Sequence, residues 1–169
     1  MKTIYTNIII GIILTTNLFG QDNSVINELE YYDSLMNNYQ FKNYRFDKTC
    51  LLINSKDTIV WGELESLPQD IKNNIEIQFK SRESNIGGCY KIVIWGCGLS
   101  CQNLAVFNRN TGNCIGTLNA SFGFKYLRNR RLIITNPPLD QELDIEKRRT
   151  FGEPEFYELV DDKIKLIKE

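Results

Sequence analysis

Five cysteines are the residues of this chain with the widest choice of chemistry. Two of them, Cys97 and Cys101, stand four positions apart in the segment 95–102, which reads WGCGLSCQ. A Cys-x-x-x-Cys pair can form a disulfide, act as a redox dithiol or supply two thiolate ligands to zinc. The other three cysteines are Cys50, Cys89 and Cys114. Because the number is odd, at least one thiol stays unpaired or bonds to another chain.

The chain contains no histidine. This absence excludes Ser-His-Asp and Cys-His nucleophile pairs and zinc sites built on histidine. A cysteine nucleophile would lack its usual base, and the thiols of dithiol oxidoreductases are normally activated at a helix N-terminus. The favoured interpretation of Cys97 and Cys101 is therefore a structural disulfide. Thiol redox chemistry and a zinc site are the alternatives.

Carboxylates that lie close together in sequence are the next candidates, because glycoside hydrolysis uses paired acids. They form three groups: Glu63 and Glu65; Glu142, Asp144 and Glu146; and Asp161 and Asp162. Each group falls in a predicted turn or loop, where solvated charge is the usual explanation. The basic clusters at 128–131 and 147–149 are interpreted in the same way. The sequence predicts no catalytic residue, metal site or cofactor, and Gly96-x-Gly98 lacks the third glycine of a dinucleotide loop.

Composition and charge describe an ordinary globular protein. The 169 residues are 42% hydrophobic and 24% charged, and the length fits one domain. Twenty basic and 21 acidic residues give a net charge of −1 at pH 7. This balance excludes a strong electrostatic attraction for nucleic acid, so we expect no nucleic-acid partner.

The N-terminus has the pattern of a secretory signal peptide over residues 1–20. Lys2 precedes an apolar stretch at 8–19, and the small residue Gly20 ends it. The stretch is shorter than the roughly 20 residues that a membrane span needs. We therefore predict a single exported domain, residues 21–169, in the periplasm or the medium, without stable membrane insertion after cleavage. In an oxidising compartment cysteines form disulfides by default, and the sequence leaves the second pairing open.

The hydrophobic periodicity predicts an α+β fold, with two helices packed on one antiparallel sheet. Apolar residues three or four apart predict one helix over 24–39 and a second that begins near Pro68. Between and after these helices the pattern is that of strands and turns, about seven or eight strands in consecutive hairpins. Hairpins are predicted over 50–61, 90–107 and 156–167.

The hairpin around the two close cysteines is predicted to place Cys97 opposite Cys101 across a three-residue loop. Opposed residues of an antiparallel pair have Cα atoms about 4.5 or 5.5 Å apart, within disulfide range. Gly98 supplies the backbone freedom that such a loop needs. The same register makes both faces apolar, so these strands should be covered on both sides. One face carries Val93, Trp95 and Phe107, and the other carries Ile92, Ile94, Leu104 and Val106.

Two short motifs resemble a family of small exported bacterial proteins whose activity is uncharacterised. Segment 84–90 reads SNIGGCY where the family reads Asn-Phe-Ala-Gly-His-Tyr, and segment 95–102 matches Trp-Gly-Cys-Gly-Thr-x-Cys-Gln. The similarity covers roughly residues 66–169, with Cys89 in place of the family's histidine and Leu99 in place of its threonine. The resemblance implies export and a similar shape, and it brings no activity with it.

These observations favour a non-catalytic exported binding or inhibitor-like module of the bacterial cell envelope. Loops fixed on a firm scaffold are ordinary recognition elements, and the expected partner is an envelope protein or a glycan. Besides the disulfide Cys97–Cys101, the candidate binding loop comprises Trp95, Gly96, Gly98, Leu99, Ser100, Gln102 and Asn85. The alternatives are an envelope thiol-redox protein using Cys97 and Cys101, a carboxylate hydrolase, and a structural subunit of a surface assembly.

Overall fold

The computed structural model describes residues 30–31, 33–46, 50–53, 55–81, 85–137 and 152–167. The predicted signal peptide, the acids Glu142, Asp144 and Glu146, and the basic cluster 147–149 lie outside these residues. The chain divides into two units, Met1–Asn37 and Asn38–Glu169. The described residues 30–31 and 33–38 are helical and are called α1. They agree with the second half of the helix predicted over 24–39, whose first half is outside the described range.

The second unit is α+β, as predicted, but its strands form two antiparallel sheets of four instead of one continuous sheet. The first sheet has the order β1 (Asn85–Ile86), β2 (Tyr90–Gly98), β3 (Cys101–Asn108) and β4 (Cys114–Ala120). The second has the order β5 (Phe124–Tyr126), β6 (Leu132–Thr135), β7 (Glu155–Val160) and β8 (Lys163–Leu166). The physical reason is the apolar character of both faces of β2 and β3, which a second layer buries and a wider sheet would not.

The last predicted hairpin is confirmed. Strands β7 and β8 pair as neighbours around a two-residue turn, Asp161-Asp162. Both aspartates have positive φ, 51° and 55°, which is the backbone of the turn type that best fits the twist of a two-residue hairpin.

Helix α2 (Gln69–Lys80) confirms the second predicted helix. Its first turn carries Asp70 and its last carries Lys80, which both complement the helix dipole. Its apolar side packs on the first sheet in a core cluster that comprises Leu64, Ile75, Phe79, Val93, Trp95, Ala105 and Phe107. Two short 3-10 helices occupy Phe41–Asn43 and Gly62–Ser66. Among the described residues no helix is both long enough and apolar enough to cross a bilayer.

The opposite face of the first sheet packs against the second sheet. This cluster comprises Ile86, Ile92, Leu104, Val106, Ile133 and Leu159. The predicted division of the apolar residues of β2 and β3 between two covered faces is therefore confirmed. Gly116 allows the sheets to approach closely, because a Cβ at this position would lie 2.9 Å from Cδ1 of Ile164.

The hairpin predicted over 50–61 is wrong. The described residues of this segment form no strand, and Val60 makes only a single parallel bridge, with Asn113. The backbone of the segment bonds to the turn between β3 and β4 instead: Lys56 N donates to Arg109 O at 2.8 Å and Val60 N to Gly112 O at 2.9 Å. The segment therefore bonds part of its backbone to a distant turn, and its two apolar runs, 50–53 and 58–61, have no partner strand among the described residues.

Candidate functional site: the tip of the β2–β3 hairpin

The candidate site is the tip of the β2–β3 hairpin, residues 96–102. The two strands pair in the predicted register as far as Gly96 and Gln102. The register then shifts, and Gly98 becomes the partner of Cys101. The predicted direct opposition of Cys97 and Cys101 is therefore corrected.

A β-bulge causes the shift. Cys97 is the extra residue on the β2 side, and the chain reverses through the two residues Leu99 and Ser100 rather than three. Gly98 has φ +132° and Ser100 has φ +52°. The glycine at position 98 is what permits this turn, as the sequence indicated, because a side chain rarely tolerates such a φ.

A disulfide joins Cys97 to Cys101, with the two Cα atoms 5.1 Å apart. The side-chain amide of Asn119, on β4, lies against both sulfurs: Nδ2 is 3.5 Å from Sγ of Cys97 and 3.4 Å from Sγ of Cys101. The same nitrogen donates to Oδ1 of Asn103 at 2.9 Å, and these two asparagines are register partners. The disulfide is thus tied to β3 and β4 as well as to its own turn.

The most exposed side chain of the tip is apolar. Leu99 has a relative exposure of 101%, and Gly96 to Ser100 are all exposed. A leucine in full contact with water contributes nothing to the core, and burying it elsewhere would be favourable. The turn therefore presents a hydrophobic side chain on a backbone held by a covalent bond.

A groove of about 420 Å³ lies beside the tip. It is lined by Ile94, Trp95, Gly96, Gly98, Ser100, Cys101, Gln102 and Ser121. A Cβ added at either Gly96 or Gly98 would meet nothing within 4 Å, so the backbone is open to an approaching ligand at both positions. Hydroxyl and amide groups from Ser100, Gln102 and Ser121 give the groove its hydrogen-bonding capacity.

The outer edge of β2 is covered by a side chain where a strand would normally lie. Strand β1 pairs only with Tyr90 and Lys91. Further along, Gln78 of α2 satisfies both backbone groups of Ile94: Nε2 donates to the carbonyl at 2.7 Å, and Oε1 accepts from the amide at 3.1 Å. The amide of Gln78 therefore takes the place of one residue of a neighbouring strand.

The structure brings together five of the seven predicted binding residues: Gly96, Gly98, Leu99, Ser100 and Gln102. Trp95 lies beneath them with a relative exposure of 7%, and it supports the groove from the core. Asn85 pairs with Lys91 near the start of β2, six residues before Cys97. At about 3.3 Å per residue it lies about 20 Å from the tip, so it belongs to a different part of the sheet.

Three residues of the site were missed from the sequence: Asn103, Asn119 and Gln78. Asn103 lies inside the predicted 90–107 hairpin, where a polar residue among apolar ones is the signal that would have found it, whereas Asn119 is exposed and follows the predicted strand 114–118. Gln78 had no such signal, because a glutamine on a helix surface is ordinary.

Among the described residues, the acids that the sequence offered as candidates are Asp161, Asp162, Glu63 and Glu65, and they lie in a turn and on a short helix. Asp162 accepts hydrogen bonds from the Tyr90 hydroxyl at 2.7 Å and from Nδ2 of Asn108 at 3.1 Å, and so joins the two sheets. Burial, and next the hydrogen bond to Asp162, raise the pKa of Tyr90. Glu63 and Glu65 are exposed on a 3-10 helix. Within the described ranges no three Cys, Asp or Glu residues cluster as metal ligands would.

Of the other three cysteines, two form a second disulfide and one is a free thiol. Cys50 and Cys89 are bonded, which selects one of the three pairings that the sequence left open. Cys114 is the free cysteine; its Sγ lies 3.6 Å from the carbonyl of Gly116, and burial raises the pKa of the thiol.

No protein-family model matches the chain, and neither does any curated protein or solved structure at a significant level.

Proposed function

We propose that the protein is an exported, non-catalytic binding module that uses the tip of its β2–β3 hairpin to engage a protein of the bacterial cell envelope. The observation that carries this proposal is the full exposure of Leu99 on a turn closed by the Cys97–Cys101 disulfide. Folding does not need a leucine at this position, whereas insertion into an apolar pocket does.

The rigidity of the tip supports recognition. Ordering a flexible loop on binding costs free energy, and a loop that is held in one shape before binding avoids this cost. Here the disulfide, the amide of Asn119 and the two-residue turn act together on the same few atoms. Burying one leucine contributes about 1.5–3 kcal/mol, which corresponds to about a tenfold to 150-fold change in affinity.

The surroundings of Leu99 indicate the chemistry of the partner. The turn offers one apolar side chain, followed by the hydroxyl of Ser100 and the amide of Gln102 beside the groove. A complementary surface has an apolar pocket for the leucine and hydrogen-bonding groups at its rim. This is the usual arrangement of a protein–protein contact, with an apolar anchor at the centre and polar groups around it.

Two disulfides support the exported location. Cysteine pairs persist as disulfides in oxidising compartments, and they are rare in the cytosol. The bridges Cys50–Cys89 and Cys97–Cys101 match the signal-peptide pattern of residues 1–20 in pointing to the periplasm or the medium.

Site-specific photo-crosslinking in living cells tests the proposal. A photoreactive amino acid is placed at position 99 in the full chain, expressed in its own bacterium, and at position 77 in a parallel strain. Ile77 is a matched control, because it is also an exposed aliphatic residue, with 72% relative exposure, but lies on α2. We expect a discrete crosslinked envelope protein from position 99 and none from position 77.

The substitution Leu99→Gln, with Ile77→Gln as its control, checks that the side chain itself matters. Leu99→Gln should weaken binding to the crosslinked protein about tenfold or more, and Ile77→Gln should leave it unchanged. Equal crosslinking from the two positions, or unchanged affinity of Leu99→Gln, would show that the tip is not the binding surface.

A further inference from the structure

A second pocket, of about 450 Å³, lies next to the start of β2, at the opposite end of that strand from the hairpin tip. It is lined by Arg45, Phe46, Gly87, Asn129 and Arg130. The residues come from three separate parts of the chain, and none of them belongs to the binding loop. The two arginines give the pocket a positive charge that no lining residue opposes.

Backbone pairing holds the two arginines side by side. Arg45 and Arg130 form an isolated antiparallel bridge, and the next residues continue the contact, since Arg131 N donates to Tyr44 O at 2.9 Å. Side chains directly opposite each other have Cβ atoms about 4.5–5.5 Å apart, and like charges in this position are destabilising. The fold thus maintains an arrangement that an anion would relieve.

Neither arginine is neutralised by a carboxylate among the described residues. Arg130 donates from Nη1 to the carbonyl of Asn129 at 3.0 Å, and its Nε is buried without a hydrogen-bond partner. The neighbouring Arg131 provides the contrast in charge, because its guanidinium lies 2.6 Å from Oε1 of Glu158, although its Nε likewise makes no hydrogen bond of regular geometry. The fold therefore supplies an acid to the arginine beside the pocket and none to the two that line it.

The wall of the pocket is aromatic and fixed. The ring of Phe46 lies directly on Gly87, where an added Cβ would be 2.6 Å from Cζ, and it stacks on Tyr90 with ring centroids 6.2 Å apart. Gly87 itself is held on both sides: its amide donates to Arg128 O at 2.8 Å, and its carbonyl accepts from Cys50 N at 3.1 Å. The pocket is consequently formed before any ligand arrives.

We propose that this pocket binds a doubly charged oxyanion, a phosphate monoester, carried on a flat or ring-shaped group that packs against Phe46. Two guanidinium groups match two negative charges, and their planar N–H donors fit phosphate oxygens bidentately. The Asn129 side chain adds hydrogen-bonding capacity at the same pocket. The volume lies within the range of small-ligand sites, about 300–1,000 Å³.

Calorimetric titration of the purified protein with phenyl phosphate and with inorganic phosphate tests the site. We expect saturable binding of phenyl phosphate that is stronger than that of inorganic phosphate, because only the former has a ring for Phe46. Arg45→Gln and Arg130→Gln should each weaken it about tenfold or more, since each removes charge-assisted hydrogen bonds. Phe46→Leu should abolish the preference for phenyl phosphate and leave inorganic phosphate binding in place.

The control is Arg128→Gln. Arg128 is exposed, lies in the same turn and does not line the pocket, so the variant loses the same charge without touching the site. If Arg128→Gln lost as much affinity as Arg45→Gln and Arg130→Gln, the effect would come from the overall charge of the protein and not from the pocket, and the proposal would be overturned. So would the absence of saturable binding at phenyl phosphate concentrations up to about 10 mM. Should Arg130→Gln fail to fold, the exposed Arg45 still gives the answer.

Vesicles identify the source of the phosphate group. Vesicles that contain phosphatidic acid, compared with vesicles of neutral lipid, report whether the pocket takes a lipid headgroup. Binding that is lost in Arg45→Gln supports a phosphorylated lipid. Binding of phenyl phosphate without vesicle binding supports a soluble phosphorylated compound. Leu99→Gln should leave both results unchanged, which keeps this site independent of the hairpin tip.

Discussion

The two disulfides of this protein lie at the two ends of the same strand and close loops of very different length. Cys89, directly before β2, is bonded to Cys50 over a sequence separation of 39, whereas Cys97, near the end of β2, is bonded to Cys101 over a separation of 4. In the chain-entropy model these loops correspond to about 4 and about 2 kcal/mol of stabilisation. The long bridge therefore acts mainly on the unfolded chain, and the short one on the shape of a single turn.

The two disulfides also differ in how deeply their cysteines are buried. Cys89 is completely buried, and its bridge organises the segment near Gly87 and Phe46. Cys97 is exposed and Cys101 is half-buried, and their bridge touches one amide, that of Asn119. Sequence separation and exposure together thus distinguish the bridge expected to stabilise the fold from the bridge that closes the proposed binding surface.

The largest effect is expected from the double substitution Cys50→Ala and Cys89→Ala. It should lower the free energy of unfolding by about 4 kcal/mol, because it releases the longer loop in the unfolded state. Urea denaturation followed by tryptophan fluorescence measures this change. A loss below about 2 kcal/mol would contradict the assigned roles, since the long bridge would then stabilise no more than the short one.

A smaller change in stability is expected from Cys97→Ala together with Cys101→Ala, about 2 kcal/mol at most. The same variant should nevertheless lose more affinity for the crosslinked envelope protein than the Cys50→Ala, Cys89→Ala variant does, provided that both are assayed while folded. Unchanged affinity together with a large loss of unfolding free energy on removal of the short bridge would contradict the roles assigned to the two disulfides.

The smallest effect involves Cys114, the cysteine that belongs to neither bridge. Burial raises the pKa of its thiol above the ordinary value of 9.0, so folding favours the neutral form. Its contribution to stability is complete below the unfolded pKa and is lost as the pH rises through the higher folded pKa. The difference in unfolding free energy between the wild type and Cys114→Ala should therefore decrease above pH 9.

Denaturation of both proteins at several pH values from 7 to 11 measures that difference and cancels the titration of groups that they share. An unchanged difference across this range would show that Cys114 ionises as easily in the folded state as in the unfolded one. Both disulfides remain intact in both proteins, so the long and the short bridge contribute equally on each side of the comparison.

The parts of the fold that sequence reasoning predicted are those set by local patterns. The register of β2 on β3 followed from placing Cys97 and Cys101 on the two arms of one tight hairpin, and α2 followed from its four-residue repeat. The turn at Asp161-Asp162 followed from two polar residues between two short strands. In each case the interacting residues are near neighbours in sequence, so a short window contains the whole signal.

The errors concern contacts between distant segments. The 50–61 segment has the pattern of a hairpin, two short apolar runs around a polar turn, but the bridge from Cys50 to Cys89 and the bonds to Arg109 and Gly112 hold its backbone elsewhere. The division into two sheets depends on which face the last strands cover, and this is a property of packing. At the site, the bulge at Cys97 depends on backbone geometry at Gly98 that residue types do not specify.

The hydrogen bonds of the Gln78 amide have a consequence for the behaviour of the protein at high concentration. The unpaired backbone groups of an exposed edge strand can pair with the same strand of another copy, and repeated pairing of this kind leads to fibres. At Ile94 the groups that would start such pairing are already taken by a side chain from within the same molecule. A strand from a second copy would have to displace the Gln78 amide before it could bond to Ile94. This one glutamine therefore opposes self-association at the edge of β2.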